Sequence, residues 1–129
     1  EMASNAVRKG NPSLIVSAAI MHEPSVNKYY YGQDIPTISR YLDVIVPMAY
    51  KGNYNAGASW IKSVTSALVK QSNGAKVWTG ILAYKGDGNY KKLSTSALLN
   101  DGFYAAMGGA TGVILFRYGY FNIFNMNNY

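Results

Sequence analysis

Four short apolar runs punctuate the chain, at residues 14–21, 43–49, 77–83 and 112–116. Each is rich in β-branched or small residues and is bounded by glycine, asparagine or proline, which predicts four β-strands. Val44, Ile45 and Val46 show no polar alternation, so this strand is expected to be covered on both faces, as in a parallel sheet flanked by helices. Pro47 lacks an amide donor and marks a bulge or the strand's last turn. Between the runs the apolar spacing turns helical. Residues 57–73 place Trp60, Ile61, Val64, Ala67 and Leu68 on one stripe, and Asn73-Gly74 ends the helix. A last helix, capped by Ser94 or Ser96 and stopped by Gly108-Gly109, is expected to bury Leu98, Leu99, Phe103, Ala106 and Met107. Gly102 costs about 1 kcal/mol there relative to alanine, which predicts close packing at that point. Shorter helices are predicted at residues 2–9, stopped by Gly10, and after Asp34, with Pro36 in the first turn and Ile35, Ile38 and Leu42 facing inward. Tyr29, Tyr30 and Tyr31 fall in a loop, as do residues 85–90. The aromatic, asparagine-rich tail holds at most one amphipathic turn through Phe121, Ile123 and Phe124.

The strand ends repeat. Ala49-Tyr50-Lys51-Gly52 is matched by Ala83-Tyr84-Lys85-Gly86, with the tyrosines 34 positions apart, and a further 34 reaches Tyr118. Ile20-Met21-His22-Glu23 closes the first run 29 positions before Tyr50, counted from Met21. A period in the low thirties is about one strand-loop-helix-loop unit. Four such units predict four parallel strands in sequential order, with helices on one face only. Their polar and aromatic groups all gather at the C-terminal strand ends, where parallel α/β proteins place ligands.

At 129 residues the chain is one domain, and 49% apolar against 14% charged residues suits a buried sheet. No run approaches the roughly 20 residues of a membrane span. The pattern opens at Glu1 inside a helix, which predicts a fragment of a longer chain. Absence of cysteine excludes disulfides and thiolate metal sites. The net charge of +6 is scattered, with Arg8-Lys9 and Lys91-Lys92 as the basic pairs, so nucleic acid is not the expected partner. An anionic polymer such as a charged cell-wall glycan remains compatible with it. Neither GxGxxG nor GxxxxGK[ST] occurs, and one histidine beside one glutamate falls short of a metal site, so no cofactor is expected. The 12 tyrosines, mostly after strands, offer ring faces with a hydroxyl that suit sugar rings at a wet surface.

Two segments carry a resemblance. Leu42 through Tyr50 is similar to the D-x-I-x-P-M-x-Y strand of a glycosidase group related to chitinase-type barrels. Gly108 through Phe116 resembles the G-A-x-G-V-x-L-F strand that closes those barrels. The resemblance implies the C-terminal half of a glycoside-hydrolase-like (β/α)8 TIM barrel, strands five to eight, with four βα units in one half-barrel domain spanning residues 1–129. A whole barrel takes about 250 residues, in accord with that half. It further implies a hydrolase-type role on a polysaccharide or cell-wall glycan, an extracellular or cell-surface setting, and pairing with an N-terminal half-barrel or as a homodimer. The sequence departs from the pattern at chemical positions. The catalytic acid of chitinase-type barrels lies on the fourth strand, outside this chain. Lys51 stands where their sixth strand carries an acid after the tyrosine. A second barrel group keeps a glutamate nucleophile at the end of strand seven, where this chain has Tyr84-Lys85.

Glycoside hydrolysis uses two carboxylates about 5–10 Å apart. Of six acids, Asp43 sits at the wrong strand end and Asp101 on a helix, which reads as structural for both. Glu23 and Asp87 follow strands at the ligand end and are the catalytic candidates, although Gly86-Asp87-Gly88-Asn89 is also an ordinary turn. Tyr50, Tyr54, Tyr84, Arg117 and Tyr118 are the substrate-binding candidates. His22 reads as a packing or pocket residue, and Arg117 as a grip on sugar hydroxyls or a carboxylate, or as a partner for Glu23. A non-catalytic glycan-binding cell-surface module is the alternative function.

Overall fold

The computed structural model describes residues 1–23, 26–117 and 119–120. Tyr118 and the expected turn through Phe121, Ile123 and Phe124 lie outside them. In chain order the elements are α1 (Met2–Gly10), β1 (Ser17–Ile20), α2 (Asn27–Tyr31), α3 (Ile35–Ile38) and β2 (Val44–Pro47). There follow a 3₁₀ turn (Lys51–Tyr54), α4 (Ala58–Gln71), β3 (Lys76–Leu82), β4 (Tyr84–Gly86), β5 (Asn89–Lys92), α5 (Thr95–Met107) and β6 (Gly112–Phe116). Strands β1, β2, β3 and β6 form one parallel sheet in that order. The sheet is the sequential, parallel kind found in half of a TIM barrel. No helix among the described residues is long and apolar enough to cross a membrane.

Burial explains the strand sequences. All four residues of β2 are buried, which is why its apolar run shows no alternation. Pro47 has no amide to donate, and pairing between β2 and β3 breaks there, between the Ile45–Val77 pair and the isolated Met48–Gly80 bridge. Ile45, Val77 and Ile81 join Ile61, Val64 and Leu68 of α4 and Ala105 of α5 in a single core. Ile35 of α3 belongs to the same cluster, so α3, α4 and α5 share one face of the sheet. Thr65 of α4 and Thr79 of β3 are both fully buried and share a 2.9 Å hydroxyl hydrogen bond, which satisfies two polar groups inside that core. Asp34 caps α3 by accepting from the Thr37 amide, and Ser94 caps α5 by accepting from that of Ala97.

Several expectations fail for physical reasons. On α5 the buried residues are Leu98, Asp101 and Ala105, while Leu99 (63% exposed), Phe103 (62%), Ala106 and Met107 face outward. The helix is apolar nearly all round, so periodicity did not distinguish the two stripes. The tyrosine-rich loop is the short helix α2, and residues 84–92 form an antiparallel hairpin instead of a loop. The first strand is shorter than its apolar run, and Leu14 and Ile15 stay exposed before it.

Gly102 is not at a tight contact. A methyl group there would meet only Val113 Cγ2, at 3.9 Å. The close approach is at Gly108, where an added Cβ would lie 2.7 Å from both the Lys62 carbonyl oxygen and Thr65 Cβ. Gly102→Ala is therefore expected to stabilise the fold by about 0.5–1 kcal/mol through helix propensity. Gly108→Ala is expected to destabilise it by about 1–3 kcal/mol through overpacking between α4 and α5. Urea midpoints of the two variants that move the same way would contradict this packing.

Candidate functional site

The 3₁₀ turn Lys51–Tyr54 lies past the end of β2, and its residues fasten α5, the β4–β5 hairpin and the aromatic group at the end of β1. Lys51 forms an ion pair with Asp101 of α5, whose side chain is only 2% exposed. Gly52 lies flat against the next loop: a Cβ on it would fall 1.6 Å from the Lys85 carbonyl oxygen. Gly86 answers from the other side, with a Cβ there only 3.0 Å from the Gly52 carbonyl carbon. The glycines of the repeated Ala-Tyr-Lys-Gly phrase thus allow two backbones to touch where any side chain would part them. Asn53 and Asp87, the next residues of each repeat, then pair reciprocally. The Asn53 Nδ2 donates to Asp87 Oδ2 at 2.7 Å, and the Asp87 amide donates to Asn53 Oδ1 at 2.8 Å.

This clamp positions the β4–β5 hairpin, whose turn is Asp87-Gly88. Tyr84 is 3% exposed, so its ring lies beneath the surface and supports it. Its hydroxyl donates toward Asp87 Oδ1 at 3.4 Å, and its ring packs on Tyr90 (5.4 Å between centroids) and Tyr120 (5.1 Å). Tyr50 stacks on Phe116 at 5.5 Å and 24° between planes, which joins the ends of β2 and β6. Burial, then Tyr84 and Asp87, push the Tyr50 phenol above its ordinary value. Burial and Asp87 likewise raise Tyr84, against an opposing pull from Arg117. Both phenols are therefore neutral at physiological pH and able to donate. The Arg117 guanidinium is exposed, lies 5.1 Å from the centre of the Tyr120 ring and donates to that hydroxyl at 3.4 Å. It is Tyr120, not Glu23, that Arg117 engages.

A second cluster forms at the end of β1. The buried His22 imidazole meets Tyr54 edge-on at 4.1 Å and Trp60 at 5.0 Å, while Tyr54 stacks on Trp60 at 5.4 Å. His22 Nε2 lies 3.3 Å from Glu23 Oε1, and the buried Oε2 has no hydrogen-bond partner among the described residues. Burial pulls the imidazole below its ordinary value, partly offset by the Glu23 carboxylate. Burial and Glu23 push the Tyr54 phenol up.

Of the sequence candidates, Tyr50, Tyr84, Asp87 and Arg117 come together at the ends of β2, β3 and β6. Glu23 and Tyr54 form the neighbouring group, joined to the first through the 3₁₀ turn. Asp43, expected to be structural, holds the opposite end of the sheet by accepting from Arg8 at 3.0 Å and from the Val16 amide at 2.8 Å. Sequence reasoning missed Asn53 and the aromatic role of Trp60. The spacing of 34 that links the two tyrosines also links Asn53 to Asp87 and was the available signal. Among the described residues no group of three or more His, Asp or Glu is arranged to hold a metal ion. Two concavities lie elsewhere, one along Ser59, Lys62, Ser66 and Lys70 of α4 and one of about 390 Å³ near Arg8, Leu42, Asp43 and Trp78.

No protein-family model matches the sequence, and no curated protein matches it. Among solved structures the fold is similar to the PgaB (BpsB) glycoside hydrolase domain from Bordetella bronchiseptica, with a TM-score of 0.71 at 17% identity. The match covers 87% of this chain and 33% of that one, so the chain spans about a third of the solved domain's length. At that identity the likeness establishes a glycoside-hydrolase-like fold.

Gly52→Ala is expected to force the two loops apart at a cost of about 2–3 kcal/mol, with loss of the tyrosine near-ultraviolet dichroism of the hairpin. An unchanged spectrum and midpoint would contradict the clamp. His22 gives a pH test. Its folded value lies below the unfolded 6.5, so the unfolded chain binds the proton first on acidification. Stability is full above 6.5 and declines as pH falls from there toward the lowered folded value. Urea midpoints should fall across this window in the parent and stay flatter in His22→Gln; equal slopes would contradict a buried neutral imidazole.

Proposed function

We propose that this chain supplies the sugar-holding face of a glycoside-hydrolase-like barrel acting on a polysaccharide or cell-wall glycan, and that alone it binds without hydrolysing. The observation that carries this reading is the aromatic platform at the C-terminal strand ends, Tyr50 stacked on Phe116 beside the Tyr84 support and the exposed Arg117. Aromatic faces take the C–H face of a sugar, and neutral phenols and a guanidinium donate to its hydroxyls. The similarity to a glycoside hydrolase domain supports a glycan as the ligand. A cell-wall glycan places the protein outside the cell or at its surface.

Accounting for the acids supports binding over catalysis. Asp34 pairs with Lys28, Asp43 with Arg8 and Asp101 with Lys51, while both oxygens of Asp87 serve Asn53 and Tyr84. Asp87 then acts by holding the hairpin. Glu23 keeps one buried oxygen without a partner among the described residues and is the candidate for proton transfer. A single such group falls short of the two that glycoside hydrolysis requires. The second belongs, in this reading, to further βα units of the barrel. Among the described residues β1 and β6 are the edges of the sheet, and Leu99, Phe103 and Met107 of α5 and Val113 of β6 are exposed. A second set of βα units fits there, and for the isolated chain a second copy takes their place.

Titration with chitotetraose and with peptidoglycan-derived glycan strands, followed by amide shifts, is expected to move Tyr50, Arg117 and hairpin resonances. Tyr50→Ala should weaken binding about tenfold, the scale of one lost aromatic contact. Unaltered binding by that variant places the site elsewhere, and measurable turnover by the chain alone refutes the missing acid. Sedimentation should report a dimer; a monomer at high concentration would contradict the association.

A further inference from the structure

The hairpin that completes the aromatic face is strongly basic. Lys85, Lys91 and Lys92 are all exposed on it, and Arg117 lies beside it at the end of β6, so this hairpin and strand end carry four of the twelve basic side chains. Tyr84 pairs directly with Lys92 across the hairpin, and the Arg117 charge is felt by Tyr84, Tyr90 and Tyr120. The ion pairs of the described residues join Arg8 to Asp43, Lys28 to Asp34 and Lys51 to Asp101, while the His22 imidazole contacts Glu23. None involves the hairpin lysines or Arg117. The one acid on the hairpin, Asp87, already accepts from Asn53 and Tyr84. Among the described residues, therefore, no carboxylate balances these exposed basic groups. Their placement is built, since the glycine contact and the Asn53–Asp87 pair fix the hairpin that carries three of them.

From this placement we infer that the glycan taken at this face is acidic, a polymer bearing carboxylates such as a uronic acid chain, with the hairpin lysines and Arg117 as the groups that select it. The inference rests on the glycan-binding reading above and names its substrate class. A neutral sugar gains nothing from four cations carried by one hairpin and the adjoining strand end. A carboxylate is drawn to that positive charge, and the arginine fork matches it with two parallel hydrogen bonds. The aromatic platform and the cationic hairpin adjoin, so one acidic oligosaccharide can stack its rings on the first while its carboxylates meet the second.

The test uses the full chain and three probes: a hyaluronan hexasaccharide, the same oligosaccharide with its carboxylates reduced to alcohols, and a linear polyphosphate of matched charge. Calorimetry at about 0.05 M salt should find the acidic sugar bound at least about tenfold tighter than the reduced one, with the gap narrowing at about 0.5 M as screening sets in. In the triple variant Lys85→Gln, Lys91→Gln, Lys92→Gln the ratio should fall toward one, with an unchanged dichroism spectrum as the check on folding. Equal binding of the acidic and reduced sugars overturns the charge preference and leaves the glycan face standing. Polyphosphate bound as tightly as the acidic sugar overturns the inference in favour of charge alone. Binding of neither sugar overturns the glycan-binding reading itself.

Discussion

The candidate site depends on one close contact, the meeting of the Lys51-Gly52 and Lys85-Gly86 backbones. Neither loop has room for a side chain at its glycine, so the two strand ends touch at a separation that no other residue pair permits. The contact lies at the end of two neighbouring parallel strands, and it brings the residues after each glycine, Asn53 and Asp87, into reciprocal hydrogen bonding. The hairpin is then fixed over the sheet end, and its Tyr84 packs on its Tyr90 and on Tyr120. The repeat in the sequence is thus the trace of a physical contact between the repeated parts.

Around that contact the sheet end is anchored by polar pairs of unequal strength. The Lys51–Asp101 pair is nearly buried, and loss of one partner from such a pair costs about 3–5 kcal/mol because a charge is left without compensation. The Lys28–Asp34 pair is at the surface, where solvent screens it, and contributes little. The charge of Lys51 is directed into the fold toward α5, where Asp101 meets it.

Much of the fold was legible. The apolar run through Val44–Val46 told of burial on both faces, and the low-thirties period told of parallel strands in sequential order. The facing of α5 was not legible, because its buried stripe includes Asp101, a residue that pattern reading assigns to solvent. Its partner lies fifty residues away, and only the tertiary fold shows that the charge is met. The Asp87-Gly88 dipeptide was a sound hairpin signal, but the flanking Tyr84-Lys85-Gly86 and Tyr90-Lys91-Lys92 show little alternation to support strands. Tyr50, Tyr84, Asp87 and Arg117 were located by register at the strand ends. Which ring would be exposed and which would serve as support depended on packing that spacing does not encode.

The central claim is that sugar is held on the aromatic platform at the C-terminal strand ends. The most direct measurement is the set of intermolecular nuclear Overhauser contacts between a bound oligosaccharide and the aromatic rings. The account predicts contacts from sugar ring protons to Tyr50, Phe116 and Tyr90. Contacts confined to Trp78 and Leu42 at the opposite end of the sheet, or to the Lys62–Lys70 face of α4, would contradict it.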